Sequence, residues 1–284
     1  LRGAQDLALS ADLCFGARGR TLSVVDIRDV LWPETRSEYP SDWPVQDVAT
    51  AGDCVYVAES ENGLGLIDVR VAAAPTSWGA WRPEGGVSGV HVADGFAYVA
   101  TRDGLARVDA RSACDPVLRE SSAIPDWPMT RWLDSSGSLL AATSVQSLHL
   151  ARLAGDRQPE SLGATRYGSL AGWPPDAVAQ GIAAAGEAMY VAAGPAGVAV
   201  VDVTDPRTPR LVRTLPAPEG ASVLSVAAFG PWLAAGTDSG VLVYDAASAH
   251  APRLVGAHAG QYQARALAFP ALERLFVAAD VDGL

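Results

Sequence analysis

Three observations in this 284-residue sequence predict an all-β fold, a seven-bladed β-propeller. A bulky apolar or aromatic residue recurs at intervals of 41, 42, 42, 50, 43 and 43 residues. An Asp closes the next strand-like run in five of the repeats, and each repeat holds about four strand-length runs. The recurring bulky residues are Phe15, Tyr56, Tyr98, Leu140, Tyr190, Leu233 and Phe276, and the recurring acids are Asp26, Asp68, Asp109, Asp202 and Asp245.

The stretch from Met189 to Leu215 shows the repeating unit most clearly. MYVAA, GVAVVDV and RLVRTL are apolar or alternating runs of strand length, and GPAG and TDPRTP are turn sequences between them. Another apolar run precedes the first of these, which completes four strands. The preceding runs in the different repeats are Asp6–Ser10, Asp47–Ala51, Gly89–Ala93, Gly181–Ala185 and Ser225–Phe229. No run of ten or more residues shows helical spacing of apolar positions, so a helical repeat is not supported.

These markers divide residues 1–284, interpreted as one domain, into seven blades. The predicted blades are residues 1–40, 41–82, 83–125, 126–179, 180–219, 220–259 and 260–284. The fourth repeat lacks the Asp, because Leu148–Arg152 takes its place, and it carries an insertion over residues 154–177. The seventh repeat stops after two strands, so we expect the natural chain to continue past Leu284 by about 20 residues, roughly half a blade.

Composition excludes several classes of function. The net charge of −11 and the pI near 4.7 argue against nucleic-acid binding, which needs a basic stripe. No apolar run reaches the roughly 18 residues of a membrane span. No charged leader precedes the repeats, so a signal peptide is either absent or already removed. Cys14 and Cys54 are offset by one position in equivalent strands and are expected to be core thiols, and Cys114 to be a free thiol in a turn.

Three segments carry a resemblance to a known family. Gly63–Val69, Gly197–Val212 and Gly240–Gly256, each preceded by YVA or LAA, resemble the LVIVD repeat, whose pattern is roughly YVA…GGLxIxDVSDPxxPxLVG. The family occurs in bacterial and archaeal secreted or surface proteins and is taken to form β-propellers. The resemblance therefore implies a propeller fold and an extracytoplasmic location. It implies no catalytic residue, because the shared residues are those of the blade.

The recurring Asp at the end of each third strand has two interpretations. A ring of carboxylates can hold cations, but an Asp in a turn also accepts a backbone N–H two residues further on. We predict the second role, with the Pro that follows marking the entry to an outer edge strand.

Aromatic and acidic residues are predicted to collect on one face of the propeller. Trp43, Trp127 and Trp173 are each followed by Pro, and with Trp78 and Trp81 they are placed in connections between blades. Those connections share a face with the turns between second and third strands. Exposed aromatic rings on such a face suit a protein or glycan ligand, although Trp-Pro pairs also fill gaps between blades. The acids predicted beside them are Glu59, Glu61, Asp103, Asp238, Asp280 and Asp282.

The first residues of the innermost strands are expected to line the mouth of a central channel. They include Asp6, Asp47 and Arg131. Two acids are too few for a metal site, no catalytic motif is present, and no cofactor is expected. The sequence thus favours a non-enzymatic surface or secreted scaffold, with its oligomeric state open. The alternatives are a metal-dependent hydrolase or lactonase at the channel mouth, and a structural spacer.

Overall fold

The structure, a computed structural model, describes residues 3–29, 31–111, 121–124, 127, 130–271 and 274–279. It is an all-β propeller built of antiparallel sheets, and in the described residues the sole helix is a 3₁₀ turn at Tyr167–Ser169. The chain forms two compact units, the first ending at Arg131 and the second beginning at Trp132.

The first unit contains three four-stranded sheets, each a meander whose strands pair in sequence order. We number the sheets as blades in chain order. Blade 1 comprises β1 (Asp6–Ser10), β2 (Leu13–Arg18), β3 (Thr21–Asp26) and β4 (Glu34–Pro40); blade 2 comprises β5 (Asp47–Ala51), β6 (Cys54–Ala58), β7 (Leu64–Asp68) and β8 (Thr76–Trp81); blade 3 comprises β9 (Val87–Ala93), β10 (Phe96–Thr101), β11 (Gly104–Asp109) and β12 (Ser121–Ile124).

The second unit contains three more four-stranded meanders and one two-stranded sheet. Blade 4 comprises β13 (Trp132–Ser136), β14 (Leu139–Thr143), β15 (Ser147–Arg152) and β16 (Glu160–Arg166); blade 5 comprises β17 (Gly181–Ala185), β18 (Ala188–Ala192), β19 (Val198–Asp202) and β20 (Arg210–Leu215); blade 6 comprises β21 (Val223–Phe229), β22 (Trp232–Thr237), β23 (Gly240–Asp245) and β24 (Arg253–Ala259); the two-stranded sheet pairs β25 (Ala264–Ala271) with β26 (Arg274–Ala279).

The predicted repeat is confirmed strand by strand. All seven recurring bulky residues lie in the second strand of their sheet, where all are buried. The five recurring acids are the last residues of third strands. Six four-stranded blades are found, while the seventh sheet has two described strands.

Two details of the prediction are wrong. The insertion at residues 154–177 is not an addition to a complete blade, because its middle part is the outer strand β16. The extra length lies in the connection that follows, where Tyr167 is buried and its hydroxyl lies 2.5 Å from that of Thr143. Trp78 and Trp81 belong to the outer strand β8, because blade 2 uses these residues to complete its sheet.

Apolar clusters fill the space between neighbouring sheets within each unit. Second and third strands supply most of these residues, and β6 and β7 are buried along their whole length. The reason is that both faces of a blade are covered by neighbours, so alternation between a dry and a wet face is lost. First strands such as β1 and β5 are only partly buried, whereas four of the five residues of β17 are buried, and outer strands are largely exposed.

The recurring Asp forms the predicted turn in all five blades that have it. One carboxylate oxygen accepts the backbone N–H two residues further on, at 2.9–3.0 Å. In blade 2 the Arg70 guanidinium and the Trp78 indole also donate to Asp68, and together these bonds lower the pKa of Asp68 to about 2. Cys14 and Cys54 are buried core thiols, as predicted, and Cys114 lies outside the described residues.

Glycine is required where the turn between second and third strands passes beneath an outer strand. Gly197 has φ +99°, and a Cβ there would lie 2.0 Å from the Leu215 carbonyl oxygen. Gly186, in the preceding hairpin of the same blade, has φ +58° but no atom within 4 Å of its notional Cβ.

We predict that Gly197→Ala lowers the free energy of unfolding by about 3 kcal/mol or more, since backbone strain and a backbone clash add. Gly186→Ala is the matched control and should lose about 1 kcal/mol, from the left-handed conformation alone. Urea unfolding of the two variants measures the difference, and equal losses would refute the clash.

Candidate functional site

In each unit the turns between second and third strands meet the connections that lead into the next blade. The Ser41 N–H donates to the Arg20 carbonyl at 2.8 Å, and the Val87 N–H donates to the Ser60 carbonyl at 2.7 Å. In the second unit the Val223 N–H donates to the Gly194 carbonyl at 2.9 Å. We call this end of a unit its turn face. In the first unit it comprises turns 18–21, 59–63 and 101–104 with connections 41–46 and 82–86; in the second it comprises turns 193–197 and 237–240 with connections 167–180 and 216–222.

Two of the predicted mouth residues, Asp6 and Asp47, form a carboxyl pair. They are the first residues of β1 and β5, and their side chains are hydrogen-bonded to each other. Burial, and next the negative charge of Asp6, raise the pKa of the Asp47 carboxyl well above its usual range. The pair is thereby suited to share a proton.

The same carboxylates also tie blades together. Asp6 Oδ2 accepts the Val48 N–H of blade 2 at 2.9 Å, and Asp47 Oδ2 accepts the Val90 N–H of blade 3 at 2.7 Å. In the second unit Asp134 Oδ2 accepts the Ala184 N–H of blade 5 at 2.8 Å. Side chains thus link first strands that belong to separate sheets. Sequence reasoning missed Asp134, which lies two residues further along its strand than Asp6 and Asp47 do.

Arg131 contacts the residue that precedes Asp47. Its guanidinium donates to Gln46 Oε1 at 3.5 Å, and Gln46 directly precedes Asp47. The first unit therefore places Asp6, Asp47 and Arg131 at its turn face, and their role in binding a ligand stays a prediction.

The three predicted site tryptophans have different surroundings. Trp43 lies on the turn face of the first unit and is 39% exposed. Trp173, in the connection 167–180, is half-buried and stacks on Tyr167 with 4.3 Å between ring centroids. Trp127 is fully buried, so its predicted place among exposed rings is wrong. The Trp-Pro pattern does not distinguish these cases, because the neighbouring sheets decide whether a ring is covered.

A network of hydrogen-bonded side chains around the buried Glu59 carboxylate supports Trp43. Glu59 is buried rather than exposed, a correction to the prediction, because each carboxylate oxygen has a donor. The Ser41 hydroxyl donates to Oε1 at 2.7 Å, and the Asn62 amide donates to Oε2 at 2.6 Å. Asn62 in turn accepts from Nε of the exposed Arg82 at 3.0 Å. Trp43 and Arg82 are therefore presented on a fixed support.

The remaining predicted acids are distributed over both units. Glu61 and Asp103 are exposed at turns of the first unit. Asp238, in the second unit, is partly buried, and its carboxylate accepts the Ser222 N–H at 3.1 Å. Asp280 and Asp282 lie outside the described residues.

A family model for the LVIVD repeat matches residues 44–79, 84–121 and 177–215. The chain is an LVIVD repeat-containing β-propeller protein. No curated protein matches its sequence.

Solved structures resemble this LVIVD propeller in fold. A protein from Lactobacillus plantarum has a TM-score of 0.71 at 15% identity, covering 90% of this chain and 85% of that one. A functionally unknown protein from Desulfotomaculum acetoxidans has a TM-score of 0.67 at 15% identity, covering 85% and 77%. The WD40 repeats of RRP9 have a TM-score of 0.69 at 10% identity, covering 94% and 83%. At these identities the likeness establishes the fold alone.

Two further features of the LVIVD propeller concern ligands and membranes. Across the described ranges, no group of three or more His, Cys, Asp or Glu side chains is placed to hold a metal ion. No helix in the described part of the chain has the length and hydrophobicity to span a membrane.

We predict that Asp6→Asn makes the LVIVD propeller more stable at high pH. A raised folded pKa contributes stability that is complete below the unfolded pKa and is lost as pH rises through the folded pKa. Wild type should therefore lose stability as the pH rises above the ordinary titration range of a carboxyl group, whereas the variant lacks the charge repulsion and should be more stable than wild type by about 1 kcal/mol at alkaline pH. Urea unfolding at each pH measures the slope.

Asp103→Asn, which changes an exposed acid on the same turn face, is the matched control and should keep the wild-type slope. If Asp6→Asn also keeps that slope, the two carboxyl groups do not share a proton.

Proposed function

We propose that this LVIVD propeller is a non-enzymatic binding scaffold that takes a protein partner on the turn face of its first unit. The observation that carries the proposal is that the exposed Trp43 and the exposed Arg82 are joined through the buried Glu59, by way of Ser41 and Asn62. Trp and Arg dominate the energetics of protein interfaces, and rigid support reduces the entropy lost on binding. A glycan is the alternative ligand for the same face.

The chemistry at the mouth supports a scaffold more than an enzyme. The Asp6 and Asp47 carboxylates each accept a backbone N–H of the following blade, so their oxygens already serve the fold. A hydrolase or lactonase would need these groups to address substrate or metal. A soak with calcium or manganese tests this alternative, since an ion with three or more carboxylate ligands there would favour the enzyme.

Two finer features complete the proposal. We propose that β25 and β26 are the first strands of a seventh blade, supported by the position of Phe276 in the repeat and by the Ser225 hydroxyl, which donates to the Ala264 carbonyl at 2.8 Å. We also propose an extracytoplasmic location, supported by the LVIVD repeats alone. Fractionation of the source cells with an antibody to the protein tests the location.

We predict that Trp43→Ala weakens binding of a selected peptide ligand by about tenfold or more, as expected for an interface anchor. The ligand comes from a displayed peptide library panned on the wild-type protein, with a glycan array run in parallel. Trp78→Ala is the matched control, because Trp78 is also 39% exposed but lies on the outer strand β8.

Titration calorimetry on wild type and both variants gives the affinities, and thermal melts confirm that the variants fold. Equal affinity for all three proteins would place the binding site elsewhere. Ligands found on the glycan array but not in the peptide library, and lost on Trp43→Ala, would change the partner class to glycan.

A further inference from the structure

Blade 1 carries a cleft at its outer edge, away from the elements of the turn face. It has a volume of about 410 Å³ and lies where the connection from β3 to β4 folds over the sheet. That volume is within the range of about 300–1,000 Å³ found for small-molecule pockets. The cleft is lined by Asp26, Arg28, Asp29, Trp32, Glu34 and Arg36.

Trp32 is the unusual residue of this cleft, because 76% of its surface is exposed. Two hydrogen bonds hold the backbone next to it: the Leu31 N–H donates to Asp29 Oδ1 at 3.0 Å, and the Trp32 N–H donates to the Asp29 carbonyl at 3.2 Å. Pro33 follows and fixes φ at the next position. The indole therefore projects into water at the edge of the cleft, where a ligand ring can stack on it.

The charged side chains that line the cleft are held in place by hydrogen bonds and ion pairs with one another. Asp26 accepts from Arg28 Nη2 at 2.6 Å and from Arg36 Nη2 at 2.8 Å, while Arg36 Nη1 lies 3.1 Å from Glu34 Oε2. Three carboxylates and two guanidiniums leave little net charge. The two guanidiniums would repel a cation and the carboxylates would repel an anion, so the cleft is best matched to a neutral ligand.

The residues that line this cleft also carry hydrogen-bonding atoms that are not used within the fold. Within the described ranges, no partner is seen for the Trp32 indole N–H, for Nη1 of Arg28, for Oδ2 of Asp29 or for Oε1 of Glu34. Two donors and two acceptors thus belong to the residues that line the cleft, together with the flat apolar ring of Trp32. A sugar ring presents this complement, with hydroxyl groups that donate and accept at its edge and C–H bonds on its face.

The other blades provide an internal comparison. A Pro lies seven residues after the recurring Asp in each of the five blades that have this Asp, at Pro33, Pro75, Pro116, Pro209 and Pro252. The residue before it is Trp32 in blade 1 but the small residues Ala74, Thr208 and Ala251 in blades 2, 5 and 6, and all four are exposed. Blade 3 has Asp115 there, which lies outside the described residues.

In blade 2 the equivalent cleft is filled by its own chain. Trp78 occupies the place of Arg36, its indole donates to Asp68 at 2.9 Å, and the Arg70 guanidinium lies 5.4 Å from its ring centroid. Val71 and Thr76 stand where blade 1 has Asp29 and Glu34. Blade 2 thus has neither acid at these two positions and has Ala74 in place of Trp32 on the same turn scaffold.

We propose that the outer cleft of blade 1 binds a neutral saccharide, whose ring stacks on Trp32 while Arg28, Asp29 and Glu34 bind its hydroxyl groups. This site is separate from the protein-binding face proposed above, and neither proposal depends on the other.

The test uses cellobiose, maltose, lactose and N,N′-diacetylchitobiose as probes, with inorganic phosphate and the zwitterion glycylglycine as charged comparators. Titration calorimetry and the shift of a Trp indole N–H signal in NMR report binding. We expect saturable binding of at least one disaccharide at about millimolar concentration or below, with no binding of phosphate or glycylglycine.

Three variants install the residue that blade 2 has at the same place, so the scaffold is known to accept it: Trp32→Ala, Asp29→Val and Glu34→Thr. We expect Trp32→Ala to weaken disaccharide binding by about tenfold or more and the other two to weaken it measurably. Trp78→Ala, which removes an exposed ring from the outer strand of blade 2, is the matched control and should leave it unchanged.

Any of three results would overturn the proposal. These are no binding of any disaccharide, binding that Trp32→Ala leaves intact, or binding of phosphate or glycylglycine in preference to the sugars. Thermal melts of each variant distinguish a lost site from a lost fold.

Discussion

The structure depends on the burial of both faces of each blade. A four-stranded sheet with apolar second and third strands cannot be stable alone, because each of its faces needs a covering layer. Fully burying one Val, Leu or Phe side chain contributes about 1.5–3 kcal/mol, and within a unit each cluster between sheets contains ten or more buried apolar residues. This packing explains the small residues of the repeat, since Ala and Gly allow neighbouring sheets to approach closely.

When blades pack face to face, some backbone N–H groups find no partner within their own sheet, and side chains must accept their hydrogen bonds. Asp serves this need in two opposite environments. At the outer hairpin Asp68 receives N–H groups and a guanidinium, and its pKa falls to about 2. Between first strands Asp47 is buried beside Asp6, and its pKa rises. One residue type thus stabilises turns as an anion and joins blades as a carboxyl group with a raised pKa, because burial and neighbouring charge decide its ionisation.

The features that could be predicted from the sequence are those set by local pattern. Alternating apolar runs and turn residues predict strands such as Asp47–Ala51 and Gly181–Ala185 with correct bounds, and the Asp after each third strand predicts the turn it forms. The candidate site was only partly predictable. Asp6 and Asp47 meet because the repeat places first strands side by side, which periodicity conveys, whereas the contact of Arg131 with Gln46 has no counterpart in the pattern.

Features that depend on contacts between blades were not predictable. Trp43 and Trp127 share the same Trp-Pro sequence, yet one is exposed and the other buried, and the dipeptide carries no information on what covers each ring. Glu59 follows a strand in a turn-like sequence that predicts exposure, but Ser41 and Asn62 enclose its carboxylate. Ser41 lies 18 residues away in another segment of the chain, and no local pattern reveals that contact.

In a repeat protein, a function of one blade is most readily sought where that blade departs from its copies. Residues common to the blades are explained by packing and turn geometry, and the matched LVIVD segments consist largely of such residues. Blade 1 lies outside those segments, and its outer hairpin replaces an exposed Ala by an exposed Trp while the underlying turn is unchanged. Because the turn forms without a Trp at that position in blade 2, the turn itself does not require the ring, which leaves the ring available for the saccharide contact proposed above.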